Sequence, residues 1–181
     1  MARVWIVLML CCVLFSQQKP PAFEDFSSRK IFTGTPVPPQ LIEPWAKMYH
    51  TRISDGVAKP DGAFRGFEYV ASKGPNFAGH YFVINWGCGS GCLMLVVVDA
   101  LTGHVYPPPL SVGDAGNQKI GIPKLGTGWA DFDYRPNSRL FMMKTCPADG
   151  GSAYPFSGTS YFTMEPEGWR LIRRFKCEAS N

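Results

Sequence analysis

The chain has 181 residues, 45% hydrophobic and 18% charged, which fits one globular domain and excludes a disordered segment. Eighteen Lys and Arg against fourteen Asp and Glu leave a net charge of +4. The densest basic cluster, Arg170, Arg173, Arg174 and Lys176, interleaves with Leu171, Ile172 and Phe175. It reads as the polar side of a strand, and this argues against a nucleic-acid reader, which needs a larger basic stripe.

The first segment has a secretory pattern. Arg3 gives a positive start, residues 4–15 form an unbroken apolar run, and Ser16, Gln17 and Gln18 end it. About 12 apolar residues match the core of a signal peptide and fall short of the ~20 a membrane-spanning helix needs. A signal peptide over 1–16 is expected, and with it a periplasmic or secreted chain. Leu10 before Cys11 argues against a lipid anchor, which needs a small residue there. The longest later apolar stretch, 92–98, is strand-sized, so no membrane span is expected after cleavage.

Residues 17–40 are Pro-rich and irregular, with a short edge strand expected over 28–32. Leu41, Trp45, Met48 and Tyr49 fall on one helical face, so 41–50 is expected as a short helix with Pro44 in its first turn. Turn signals fill 52–66, including Ser54-Asp55-Gly56 and Pro60-Asp61-Gly62, and 67–72 is expected as another short helix. Residues 79–88 and 92–99 are rich in β-formers and separated by Gly89-Ser90-Gly91, the pattern of a hairpin. Residues 99–103 read as a turn closed by a left-handed Gly103, followed by a strand at 104–106.

A loop with a brief strand near 119–122 follows. Residues 131–134 are expected to pair with 140–143, and further strands are expected at 138–146, 159–165 and 168–177. The fold expected is mainly β: a single antiparallel sheet system, rolled or sandwich-like, with one or two short helices, over 41–181.

Signal cleavage leaves four cysteines, Cys88, Cys92, Cys146 and Cys177, and an even count in an exported domain reads as two disulfides. Cys88 and Cys92 flank the hairpin tip, where opposed strands bring Cα atoms within bridging range. Cys146 and Cys177 end two strands that become parallel second neighbours if 159–165 lies between them. They then bridge only past the end of the sheet. Four cysteines allow three pairings, and a four-cysteine zinc site is the rival, although the second pair is far apart in sequence and export favours oxidation.

A reactive thiol needs a neighbouring base or cation. His80 lies ~25 Å along the strand from the hairpin tip, and His104 approaches Cys92 only if its strand pairs back in a suitable register.

The segments Pro75-Asn76-Phe77-Ala78-Gly79-His80-Tyr81, Trp86-Gly87-Cys88-Gly89-Ser90-Gly91-Cys92 and Asp99-Ala100-Leu101-Thr102-Gly103-His104-Val105-Tyr106 resemble a group of small exported bacterial proteins. That group carries a signal peptide, an Asn-Phe-x-Gly-x-Tyr segment, a Trp-Gly-Cys-Gly-x-x-Cys loop and an Asp-x-x-Thr-Gly turn. The resemblance covers the central part of the chain and implies a compartment and a fold type, with no reaction and no catalytic residue. Gly91-Cys92 is also superficially similar to the nucleophile motif of cell-wall L,D-transpeptidases, but Leu93-Met94 lacks the Arg that follows there.

No metal or other cofactor is expected. His50, His80 and His104 have no metal-binding spacing, and Asp131 and Asp133 share a strand face without a sugar-hydrolase pattern around them. Of the mature chain's Trp45, Trp86, Trp129 and Trp169, most are expected in the core, with Trp129 in its Gly-rich loop the most exposed.

Trp129, Trp86, His80 and His104 form the candidate binding surface. The function expected is a non-enzymatic binding module for an envelope protein, a cell-wall hydrolase or a polysaccharide. The alternative is a cysteine-dependent cell-wall or thiol-redox enzyme.

Overall fold

A computed structural model describes residues 19–28, 30–59, 63–65, 68–70, 74–87, 92–110, 121–125, 128–129, 131–145 and 158–177. After a 3-10 turn at Phe23–Phe26 come two short helices, α1 (Pro44–Met48) and α2 (His50–Ala58). Two short strands, β1 (Ala63–Arg65) and β2 (Glu68–Val70), then pair with Phe64 opposite Tyr69.

Two antiparallel sheets form the body. In the first, β3 (Tyr81–Gly87) and β4 (Cys92–Asp99) pair with Tyr81 opposite Asp99 and Gly87 opposite Leu93. The other edge of β4 is shared by β5 (Val105–Tyr106), at Val97 and Val98, and β6 (Gly121–Leu125), at Cys92 to Met94. A two-residue β7 (Gly128–Trp129) follows β6. In the second sheet β8 (Asp131–Tyr134), β9 (Leu140–Lys144), β10 (Thr159–Glu165) and β11 (Gly168–Phe175) lie side by side in sequence order.

Strand alternation divides the core in two. Tyr81 and Val83 of β3 and Leu95 and Val97 of β4 face the second sheet. They meet Phe132, Tyr134, Phe141, Met143, Phe162 and Met164 in one cluster. The residues between them, Phe82, Ile84, Met94, Val96 and Val98, face the helices and pack on Trp45, Ala46 and Ile53. The first sheet is thus covered on both faces, which explains why its strands are continuous apolar runs and not alternating ones. Phe77, fully buried, lies between the sheets, stacked on Trp169 at 5.7 Å and edge-on to Phe141 at 5.8 Å.

The mainly β class, the central hairpin, the 99–103 turn and the pairing of 131–134 with 140–143 agree with the sequence reading. Three elements differ. Residues 52–58, expected as turns, continue as α2. Gly56 is there for packing: a β-carbon on it would lie 2.5 Å from Ile84 Cγ2, so glycine lets α2 settle onto β3. The helix expected over 67–72 is strand at 68–70, because Glu-Tyr-Val finds a partner in 63–65; a six-residue window cannot separate the two periods. The described residues of the edge strand expected over 28–32, Ser28 and 30–32, are not strand; an isolated bridge just before them joins Ser27 to Ser138.

Candidate functional site

Asp99 ends β4 and organises the turn after it. Its Oδ1 accepts the Leu101 N–H at 2.8 Å and its Oδ2 accepts the Thr102 hydroxyl at 2.9 Å. The same Thr102 oxygen accepts the His104 N–H at 3.2 Å, and Gly103 N–H donates to the Asp99 carbonyl at 2.8 Å. Gly103 has φ +76°, and a β-carbon there would lie 2.2 Å from the Pro38 carbonyl oxygen.

That close approach receives the Pro-rich segment, which runs across the turn as a strap. Val37 N–H donates to Ala100 O at 2.9 Å, Gln40 N–H to Gly103 O at 2.7 Å, and Gln40 Nε2 to Thr102 O at 2.8 Å. Upstream, Phe32 N–H donates to Gly79 O at 2.7 Å, and a β-carbon on Gly79 (φ +86°) would lie 2.6 Å from Lys30 O. Asn76 holds the same corner: its Oδ1 accepts Val83 N–H at 2.7 Å and its Nδ2 donates to Val83 O at 3.1 Å. The Asn-Phe-x-Gly and Asp-x-x-Thr-Gly segments are therefore the devices that hold the strap on the sheet.

The two candidate histidines meet at this end of the sheet. His80 Nε2 lies 3.7 Å from Asp99 Oδ1. Ring contacts run from His80 to Tyr81 (4.2 Å), Tyr81 to Tyr106 (6.2 Å) and Tyr106 to His104 (4.3 Å). Burial, reinforced by the Asp99 carboxylate, raises the Tyr81 phenol well above its usual range and raises Tyr106 as well, with Glu167 adding to the latter. Both phenols stay neutral at physiological pH, and Tyr106 Oη donates to Pro166 O at 3.4 Å. Apolar side chains are exposed at the turn and strap: Leu101 is 50% exposed on the turn, and Val37 (39%) and Ile42 (64%) on the strap.

The other candidates lie elsewhere. Trp86 is near the far end of β3, with its ring 5.4 Å from Tyr49 and packed on the helix-side core. Trp129 is on β7 opposite Lys124, and Cys92 starts β4 opposite Pro123, so their backbones lie at that same far end. His80 and His104 flank Asp99, seven residues along β4 from Cys92, or ~23 Å of strand. His104 does not pair back toward Cys92, because β5 joins β4 at Val97 and Val98.

Cys177, two residues past β11, is disulfide-bonded. Cys88 and Cys146 lie outside the described residues. Trp45 is buried and Trp169 packs on the inter-sheet core, its Nε1 donating to Pro107 O at 2.8 Å.

A cleft of about 510 Å³ opens between the strap and α2, lined largely by apolar groups including Ile31, Pro36, Val57, Pro75 and Phe82. Among the described residues no three His, Cys, Asp or Glu side chains gather to hold a metal, and no helix is long and apolar enough to cross a membrane. Asp131 and Asp133 share a face of β8, with Asp131 opposite Lys144.

Tyr81, Asp99 and Tyr106, together with Leu101 and the strap, are the members of this surface that the sequence reading did not select. The Asp-x-x-Thr-Gly turn was the available signal, since it fixes where β4 ends and so which residues gather there. No family model, curated protein or solved structure matches the chain.

Proposed function

We propose that this chain is an exported, disulfide-stapled β-domain of the resembled bacterial group and that it acts as a non-enzymatic binding module. The strap-and-turn surface is its contact face, and the partner is a protein of the envelope or the secreted milieu, such as a cell-wall hydrolase. The observation that carries this reading is the placement of Val37, Ile42 and Leu101, all exposed, on a backbone pinned by the Asp99–Gly103 turn beside His104. Exposed aliphatic groups on a preorganised backbone platform have the make-up of a protein-binding patch. A polysaccharide would favour stacked, open aromatic faces, whereas Tyr81 is buried and Tyr106 is half-buried.

The same register supports two staples. β3 and β4 pair as far as Gly87–Leu93, and only four residues of sequence, 88–91, separate the two strands. At the end of the second sheet, Lys144 and Phe175 both pair with Thr159, and in sequence Cys146 follows Lys144, and Cys177 follows Phe175, by the same two residues. A β-carbon on Gly158 would lie 2.2 Å from Phe175 O, so glycine lets the end of β11 close against the start of β10. The proposed pairs are Cys88–Cys92 and Cys146–Cys177. A cysteine enzyme finds no support in the placement of His80 and His104 at the opposite end of β4 from Cys92.

Two experiments test the reading. Intact mass and thiol alkylation of the protein recovered from the periplasm or medium should show a start near Gln17 and no free thiol without reductant. The double variant Leu101→Asp/Ile42→Asp should keep the parent's melting temperature and lose its partner. A readily alkylated Cys92, or full partner binding by the double variant, contradicts the proposal.

A further inference from the structure

The basic cluster Arg170, Arg173, Arg174 and Lys176 lies on and just after β11, the outer strand of the second sheet. β10 pairs with one edge of β11, and among the described residues no strand pairs with the other. The register shifts along the strand: Phe162 opposes Leu171 but Tyr161 opposes Arg173, so β11 carries one extra residue at Ile172. That bulge puts Arg170 and Arg173, three apart in sequence, opposite Thr163 and Tyr161, on the face turned away from the inter-sheet core. Arg170 Nε is held by Glu165 Oε1 at 2.6 Å and Arg174 Nε donates to Ser160 Oγ at 2.8 Å. Arg173 and Lys176 have no ion pair among the described residues. Leu171, between the arginines, is 48% exposed.

We infer that β11 is a docking edge for an extended acidic segment of the partner protein, added to the sheet as a further strand. This rests on the binding-module reading and names the chemistry of its partner. Three features select the occupant. A second copy paired through the same edge would bring like charges face to face, which is unfavourable. A strand with acidic residues on one face and apolar residues on the other would place carboxylates beside Arg170 and Arg173 and an aliphatic group against Leu171. The edge is also continuous with the strap-and-turn surface: Gly168, the first residue of β11, packs beside Tyr106, and Trp169 is tied to Pro107.

The test uses the full exported chain and a fluorescein-labelled (Glu-Val)5 peptide, with (Lys-Val)5 as the comparison. Anisotropy should show saturable binding of (Glu-Val)5 alone, and amide shifts in 15N-labelled protein should cluster in 168–176. Arg173→Glu/Lys176→Glu should weaken binding at least about tenfold. If that variant does not fold, Arg173→Gln/Lys176→Gln reads the same effect with less charge change.

Equal binding of both peptides, shifts centred elsewhere, unchanged affinity in the variants, or displacement of the peptide by anionic vesicles or by RNA each overturns the inference. So does a dimer that forms through β11 without peptide. If (Glu-Val)5 fails while Leu101→Asp/Ile42→Asp still abolishes partner binding, the edge inference falls and the binding-module reading stands.

Discussion

Gly103 and Pro38 are in contact through a gap that admits no side chain: the Pro38 carbonyl oxygen lies 2.2 Å from where a β-carbon of Gly103 would be. Gly103 also sits at φ +76°, a conformation costly for any residue with a β-carbon. Gly103→Ala should therefore combine backbone strain with displacement of the strap and cost about 1–3 kcal/mol. Urea denaturation reads the stability, and limited proteolysis reads the strap: cleavage should appear within 30–42. Parent-like stability with an uncut strap would contradict this.

The contact between Gly56 and Ile84 predicts a sign reversal. Replacing a mid-helix glycine by alanine ordinarily stabilises a helix by about 0.5–1 kcal/mol. Here a β-carbon would meet Ile84 Cγ2 at 2.5 Å and Cδ1 at 2.9 Å, so Gly56→Ala should instead destabilise by about 1–3 kcal/mol. Gly56→Ala with Ile84→Ala should cost clearly less than the two single changes added together, measured as a double-mutant cycle.

These two glycines mark what the sequence makes legible. Turn glycines such as Gly103 announce themselves through neighbours, because Asp99 and Thr102 at fixed offsets specify the turn. Gly56 looks locally identical, following Ser54-Asp55, yet its role is set by Ile84, 28 positions away, and no local pattern carries that. The hairpin and the paired strands of the second sheet were readable because β-branched and aromatic runs are separated by short turns. The helix face of the first sheet was not, since a strand buried on both sides has no alternation to read. Likewise, His80 and His104 are visible as candidates, but only the register at Tyr81–Asp99 and Val98–Val105 brings them to one end, with Trp86 and Trp129 at the other.

Asn76 serves both backbone groups of Val83 from a position 3% exposed. Asn76→Ala would leave a buried N–H and a buried C=O unpaired and should cost about 2–4 kcal/mol in chemical denaturation. A loss below about 0.5 kcal/mol would mean that Val83 finds other partners.

The phenols of Tyr81, Tyr106 and Tyr161 are all raised above the ordinary value of 10.0, each mainly by burial. The folded protein holds these protons more tightly than the unfolded chain does. Their contribution to stability is complete below about pH 10 and declines as pH rises beyond it. Denaturation midpoints should therefore fall on the alkaline side, and absorbance titration should show phenolate appearing late, for Tyr81 only as the protein unfolds. Tyr81→Phe should flatten part of that alkaline decline, and an unchanged profile would contradict the assignment.

Site-specific photo-crosslinking in the envelope decides whether the strap and the Asp99–Gly103 turn form the contact face. A photoreactive residue is placed singly at Leu101, at Ile42 and, as a comparison on the outer face of the second sheet, at Lys144. A partner docked on this face should give one shared protein adduct from positions 101 and 42 and none from 144. Adducts from 144 equal to those from 101, or no adduct at either 101 or 42, would contradict it.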